Sequence, residues 1–189
     1  MAEVTALSDL VNQPFRLLKE LDRRCRQAAA GRQQEAALET GDEWVGVGLR
    51  IGDLNVLVER DEVREVLTVP PLARVPGARS WLRGLANVRG QLLSVVDLHE
   101  LAGGEPTVPT RASRVIAVKH PEIPAGLLVD EVRGFRRFQP DEAVNEIPEA
   151  LSESFRGFFR GGFKRGKDFW AVLSLRDLVE SQLFLQAAK

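Results

Sequence analysis

Residues Pro76–Leu98 read PGARSWLRGLANVRGQLLSVVDL, and this stretch decides the fold. A turn at Pro76-Gly77 leads into a short apolar segment, and a second turn at Arg89-Gly90 is followed by an apolar strand, Leu92–Val96. Two apolar segments joined by a short turn that contains glycine predict a β-hairpin. No glycine-rich entry to a helix, metal-ligand spacing or nucleophile motif accompanies them, so the stretch predicts structure and not catalysis.

Composition bounds the class of protein. The 189 residues are 44% hydrophobic and 28% charged, an ordinary balance for a globular chain with a core. The formal net charge of −1 gives no overall field that favours nucleic acid or a membrane surface. The only cysteine is Cys25, no apolar run approaches the roughly 18 residues of a spanning helix, and the N-terminus lacks a secretory pattern. These features predict a cytoplasmic protein.

The chain repeats itself. Four short motifs of the first half recur in the second half in the same order, at an offset that grows slowly along the chain. They are Asp61–Arg64 with Asp130–Arg133, Arg83–Leu85 with Arg156–Phe158, Arg89-Gly90 with Arg165-Gly166, and Val95–Leu98 with Val172–Leu175. Each motif lies at a predicted strand or turn boundary, so together they indicate a duplicated supersecondary unit.

Each half contains five segments with the pattern of a strand. They are Trp44–Leu49, Asn55–Val58, Val63–Val66, Gly84–Val88 and Leu92–Val96, then Arg114–Lys119, Ala125–Val129, Val132–Phe138, Gly157–Lys164 and Phe169–Leu173. Many short strands at close spacing predict a mainly β fold, and two small barrels of five strands fit best. Gly103–Pro106 is the predicted boundary between subdomain 1, about residues 42–102, and subdomain 2, about residues 110–174.

Helices are predicted at both ends of the chain. Residues 1–41 are predicted to be a helical extension, because an apolar stripe at helical spacing runs through Leu18, Leu21, Cys25 and Ala28. Residues 175–187 are predicted to be a closing helix, with Ser174 as its N-cap. Asp97 is likewise a predicted N-cap, for a helical turn at Leu98–Leu101.

The stretch quoted first resembles the signature of the CheW-like adaptor domains of bacterial chemosensory arrays. In that signature an asparagine-x-arginine-glycine turn, here Asn87–Gly90, lies between two strands. The likeness runs from about Trp44 to Leu185 and includes Val63–Val66 and Gly126–Val132, so residues 42–187 are predicted to form the CheW-like domain. It implies two intertwined five-stranded SH3-like barrels around a shared apolar core. The N-terminal stretch Pro14–Arg26 is similar to the opening of the CheW-like adaptors of type IV pilus chemosensory systems.

The resemblance implies a cytoplasmic adaptor that is not an enzyme and uses no cofactor or metal. Its implied partners are the cytoplasmic tip of a methyl-accepting chemoreceptor and the CheW-like regulatory domain of a CheA-type histidine kinase. Control of twitching motility by type IV pili is the implied process, and a flagellar-type coupling protein is the alternative. No nucleic-acid partner and no insertion into a membrane are expected.

Four residues are predicted to bind partners: Val63, Glu65, Val88 and Arg89. The guanidinium of Arg89, next to a turn, either reaches a partner's carboxylate or only holds loop carbonyls. Glu65 matches the valine-x-glutamate element of the family, although exposed glutamates on strands are usually only solvated. The two valines either form an apolar floor for a receptor helix or belong to the core.

Other residues are predicted to be structural. Asn87 and Gly90 form the turn, because asparagine and glycine tolerate turn conformations. Trp81 is predicted to lie in the core. The run Phe155–Lys167 interleaves phenylalanine, glycine and basic residues, which leaves single-stranded nucleic acid as a second hypothesis.

Overall fold

The computed structural model describes residues 43–148 and 151–187, so the predicted helical extension, residues 1–41, lies outside the described residues. The described strands are β1 (Trp44–Ile51), β2 (Leu54–Glu59), β3 (Val63–Thr68), β4 (Leu82–Val88), β5 (Gln91–Asp97), β6 (Arg114–Val118), β7 (Ala125–Val129), β8 (Glu131–Phe138), β9 (Ala143–Val144), β10 (Phe159–Arg165) and β11 (Asp168–Leu173). The described α-helices are α1 (Leu98–Leu101), α2 (Glu153–Arg156), α3 (Leu175–Val179) and α4 (Gln182–Leu185). The mainly β class and all ten predicted strands are confirmed.

The strands form two sheets. One sheet has six strands in the order β8-β1-β2-β11-β10-β9, and the other has five in the order β3-β6-β7-β5-β4. Apart from the two-residue strand β9, the two orders are the same if β1 is matched to β6, β2 to β7, β3 to β8, β4 to β10 and β5 to β11. This correspondence agrees with the internal repeat of the sequence.

The first two strands of each half lie in the sheet of the other half. β2 pairs in parallel with β11, and β7 pairs in parallel with β5. Each sheet therefore combines strands from residues 42–102 with strands from residues 110–174. This exchange agrees with the intertwined arrangement that the family resemblance implies.

Inner strands of the sheets, such as β2, β6, β7 and β11, are buried on both faces, which explains their near-continuous apolar runs. In β2, the side chains of Val56 and Val58 face a large apolar cluster between the sheets, and Leu57 faces a smaller cluster on the opposite side. All three are 0% exposed. The five-stranded sheet has its own outer cluster, and Trp81 packs in the large one, as predicted. Residues 43–148 and 151–187 therefore form one shared core and two smaller ones.

The ends of the helices follow from capping side chains. Asp97 accepts hydrogen bonds from the N–H groups of His99 and Glu100, and so caps α1 as predicted. Ser174 accepts one from Asp177 N at 3.3 Å and caps α3. The prediction of one closing helix over residues 175–187 is wrong, because Ser181 Oγ accepts from Phe184 N at 3.2 Å and starts a new helix. No helix within the described ranges is long and apolar enough to cross a membrane.

Candidate partner-binding site

A two-residue turn connects β4 and β5. Val88 and Gln91 are directly paired across the hairpin, which leaves Arg89 and Gly90 as the turn residues. Their φ angles are +52° and +83°, and two positive φ angles are the mark of a type I′ turn. Asn87 Oδ1 accepts a hydrogen bond of 2.9 Å from Gly90 N, which closes the turn from the side chain.

Arg89 occupies a backbone conformation that arginine rarely adopts. Among the residues that the structure describes, it is the only one other than glycine with a positive φ. Such a conformation costs about 1 kcal/mol or more for a residue with a Cβ, and asparagine or glycine is preferred there. Local backbone preference therefore does not explain an arginine at this position.

The side chain of Arg89 contacts Glu65, although 24 positions separate them. Arg89 Nη2 lies 3.1 Å from Glu65 Oε2. Glu65 is on β3 and Arg89 follows β4, and these are the two edge strands of the five-stranded sheet. A second contact joins β3 to the start of β5, on the other side of the turn, since Arg64 Nη1 donates to Gln91 Oε1 at 3.2 Å. The sheet is therefore curled far enough to bring its edges together at this turn.

The Glu65 carboxylate lies between two guanidinium groups. Besides the contact with Arg89, Arg64 Nε is 3.8 Å from Glu65 Oε1. The Arg89 side chain remains 81% exposed, whereas that of Glu65 is 21% exposed. An ion pair in contact with water contributes about 0–1 kcal/mol to stability, so the pair adds little to the fold. Most of the five N–H donors of Arg89 stay available to a partner.

The two predicted valines lie in different places. Val63 packs against the large cluster between the sheets, and Val88 packs against the outer cluster of the five-stranded sheet. The structure thus brings Glu65 and Arg89 together but divides the valines between two cores. Beside the charged pair in the sequence are two exposed apolar side chains, Val66 at 44% and Leu92 at 63% exposure, which the sequence reasoning missed.

The alternation of residues along β3 could have predicted that Val66 is exposed. The residues of β3 alternate between half-buried and exposed, and Val66 falls on the exposed side with Arg64. Leu92 gave no such signal, because it begins the apolar segment Leu92–Val96, in which Ser94 is the one polar residue. Arg64 and Gln91 were also missed, since their contact depends on how the sheet curls.

The run Phe155–Lys167 does not form a stacking surface for bases. Phe155, Phe159 and Phe163 are 0%, 6% and 1% exposed. Three of its cations are held in ion pairs: Arg160 with Asp177, Lys164 with Glu146, and Arg165 with Glu142. The aromatic and basic groups that suggested nucleic acid are therefore used inside the fold.

The groups at the turn suit recognition by charge and apolar contact. They comprise one carboxylate, two guanidiniums and nearby exposed apolar side chains. In residues 43–148 and 151–187, no three His, Cys, Asp or Glu side chains come together where they could hold a metal. The His120 ring is tied into the fold, since Nδ1 accepts from Ile123 N at 3.0 Å and Nε2 lies 3.1 Å from Glu180 Oε1.

Comparisons with known proteins show which family and which proteins this chain is similar to. The family described as CheW-like domain matches residues 45–183. Protein PilI of Pseudomonas aeruginosa is 39% identical over 180 residues, which are 94% of this chain and 98% of that protein. The "Probable chemotaxis protein CheW" of Rhizobium etli is 32% identical over 142 residues, 75% of this chain and 90% of that protein. The crystal structure of scaffolding protein TtCheW from Thermoanaerobacter tengcongensis matches with a TM-score of 0.62 at 22% identity, over 73% of this chain and 93% of that one.

Proposed function

Because the chain belongs to the CheW-like domain family, we propose that it is a non-catalytic adaptor of a chemosensory array. It joins the cytoplasmic tip of a methyl-accepting chemoreceptor to the CheW-like regulatory domain of a CheA-type histidine kinase, and it is recruited to arrays at the membrane by these contacts. The observation that carries the proposal is the match to PilI, which extends over nearly the whole length of both chains.

The same match supports a role in the chemosensory system of type IV pili, which controls twitching motility. It leaves about 11 residues of this chain unmatched, so it includes most of the first 42 residues. The Rhizobium CheW match covers only 75% of this chain. The resemblance of Pro14–Arg26 to the opening of pilus adaptors points the same way.

We place the receptor contact at the β4–β5 turn and the start of β3. There Arg89 offers free N–H donors to a receptor carboxylate, and Glu65 offers a carboxylate to a receptor cation. Val63 and Val88 are only partly buried, each against a different core, and we propose that their accessible parts add apolar contacts. Coupling requires that the receptor makes contacts of different free energy in its two signalling states, because equal contacts shift no equilibrium.

The kinase contact is tested by calorimetry with the full chain. The titrant is the CheW-like regulatory domain of a type IV pilus kinase, and the corresponding domain of a flagellar kinase is the control. Saturable binding to the first domain alone supports the adaptor role and the pilus assignment. Binding to both supports a general coupling protein of the flagellar type, and binding to neither contradicts the adaptor role.

The receptor contact is tested with a soluble helical fragment of a pilus chemoreceptor tip. Arg89→Ala and Glu65→Arg are expected to weaken binding without unfolding the protein, because Arg89 is exposed and its ion pair with Glu65 adds little to the fold. Arg111→Ala is the matched control, because Arg111 is exposed and distant in sequence from the turn. Unchanged affinity in both test variants removes these two residues from the receptor contact.

A further inference from the structure

A cleft lined by three arginines lies at the opposite end of β4 from the turn. We call it the arginine cleft; its walls include Arg74, Arg79 and Arg83, the carboxylate of Glu100, and the apolar side chains of Val75 and Leu82. It encloses about 350 Å³, the lower end of the range for small-molecule sites. β4 has seven residues, so about 20 Å separate the cleft from the turn. The two surfaces are therefore distinct.

The backbone holds the loop that carries Arg74 against β4. Ala73 and Leu85 exchange two hydrogen bonds, of 2.9 and 2.8 Å. Gly84 makes this approach possible, since a Cβ there would lie 2.4 Å from the carbonyl oxygen of Ala73. At the other end of the loop, Arg79 N donates to Ala187 O at 2.8 Å. The positions of Arg74 and Arg79 are thus fixed by backbone bonds on both sides.

Arg83 is oriented by a buried carboxylate. Arg83 Nη1 donates to Asp97 Oδ2 at 3.1 Å, and Asp97 is 0% exposed. The other lone pairs of Asp97 accept from His99 N, Glu100 N, Thr107 N and Thr107 Oγ1. Asp97 therefore cannot turn toward the cleft, and it leaves four of the five N–H donors of Arg83 for another acceptor.

The remaining charges of the cleft are not compensated. Among the residues that the structure describes, the side chains of Arg74 and Arg79 form no ion pair or hydrogen bond. Glu100 is the one carboxylate in the wall. The three arginines and Glu100 give the wall a net charge of +2. Adding the buried carboxylate of Asp97 lowers this net charge to +1. Because Arg74 and Arg79 are exposed, water solvates their charges in the free protein, and a bound anion would balance them where it displaces that water.

We propose that the arginine cleft binds a phosphate-type dianion. One carboxylate has two oxygens, and a single guanidinium fork can occupy both. A phosphoryl group presents three acceptor oxygens and about two negative charges at neutral pH, which suits a cleft lined by several arginines. The group is carried either by a small phosphate ester or by a phosphorylated side chain of another protein, and both offer the same chemistry.

The test is a titration of the full chain, labelled with ¹⁵N, followed by amide spectra in a buffer without phosphate. Sodium phosphate is the probe, and sodium acetate at equal ionic strength is the comparison. Saturable shifts confined to residues 74–83 and Glu100 are the expected result. Absence of saturation below about 20 mM phosphate, or equal affinity for acetate, overturns the proposal.

Variants distinguish a defined phosphate-binding site from non-specific electrostatic attraction. Arg74→Gln combined with Arg79→Gln is expected to raise the Kd for phosphate at least about tenfold. Arg111→Gln combined with Arg176→Gln is the matched control, since both arginines are exposed and lie outside the cleft wall, and it is expected to stay within about twofold. Equal weakening in the two double variants overturns the proposal. Unchanged thermal midpoints show that every variant is folded.

The source of the phosphate group is distinguished within the same assay. A short phosphoserine peptide and a small phosphate ester are titrated in parallel with free phosphate. Tighter binding of the peptide assigns the group to a phosphorylated partner, and equal or tighter binding of the ester assigns it to a small molecule. Both results support a phosphate site in the cleft. If neither the phosphopeptide nor the phosphate ester binds, the proposal is overturned.

Discussion

Leu175 N donates a hydrogen bond of 2.7 Å to Glu62 Oε2, across 113 positions of sequence. Glu62 Oε1 accepts two more, from Arg176 N and from Ser174 Oγ, at 3.2 Å each. The carboxylate thus satisfies backbone N–H groups in the first turn of α3, which have no partner within the helix. Since Glu62 directly precedes β3, one side chain connects the edge of the five-stranded sheet to the helix that follows β11.

Glu62→Ala is expected to lower the free energy of unfolding by about 1–3 kcal/mol, because it leaves helix N–H groups without an acceptor in a partly buried place. Urea denaturation measures the change. Asp61→Ala is the control, since Asp61 is the exposed neighbour on the same turn. Equal losses in the two variants are incompatible with a specific role for Glu62.

Glu62 also predicts a dependence on pH. Burial raises the pKa of its carboxyl above the ordinary value of 4.5, and the hydrogen bonds from Leu175 and Arg176 oppose this only in part. Between the ordinary and the raised pKa the folded protein holds a proton that the unfolded chain has released, so the free energy of unfolding falls as pH rises through that window. Glu62→Gln lacks this titration. The difference in unfolding free energy, wild type minus variant, is expected to decrease as pH rises above the ordinary carboxyl pKa.

The pKa values of two other glutamates are shifted in the opposite direction. The hydrogen bond from Arg50 lowers the pKa of Glu131, and the hydrogen bond from Arg165 lowers the pKa of Glu142. Their stabilising contributions are present above the ordinary carboxyl pKa and are lost as pH falls through the lowered values. Both groups are present in wild type and in Glu62→Gln, so they cancel in the difference. A difference that grows with pH is therefore evidence against a raised pKa for Glu62.

Asp97→Ala is expected to destabilise the fold by roughly 3–5 kcal/mol. The change removes the acceptor of five hydrogen bonds and leaves Arg83 without its counter-ion. Chemical denaturation measures the loss, with Asp53→Ala, in the exposed β1–β2 turn, as control. A loss below about 1 kcal/mol would mean that water replaces the carboxylate.

Arg89→Asn is expected to separate stability from binding. Asparagine accepts a positive φ more readily than arginine, so the free energy of unfolding is expected to rise by up to about 1 kcal/mol. Affinity for the receptor fragment is expected to fall, because the exposed guanidinium is removed. Arg111→Asn serves as control for the lost charge. A variant that loses both stability and binding places Arg89 among the structural residues of the turn.

Local features of the fold could be predicted from nearby residues. Alternating and apolar segments predicted ten strands, and asparagine and glycine predicted the hairpin turn. Asp97 and Ser174 were predicted correctly as helix caps. The break at Ser181 was missed because the apolar stripe continues across it, while its hydroxyl competes for the helix backbone. β9 has only two residues, Ala143–Val144, too few to show a period.

The pairing of distant segments could not be predicted in the same way. A strand pattern shows which side chains share a face, but it does not name the neighbouring strand, so the exchange of β1–β2 with β6–β7 has no local signature. The contact between Glu65 and Arg89 depends on the curl that brings two sheet edges together. The sequence predicted Glu65 and Arg89 separately as residues that bind a partner. Only the fold shows that their side chains contact each other.

The exchanged hairpins bear on how the chain folds. Without β1 and β2, the second half lacks the two strands between β8 and β11, and without β6 and β7 the first half lacks those between β3 and β5. Neither half can therefore complete its hydrogen-bond ladder alone, and the described body should unfold in one cooperative transition. The pairings that close each sheet are remote in sequence, so refolding is limited by the search for them and should be slow for a chain of this size.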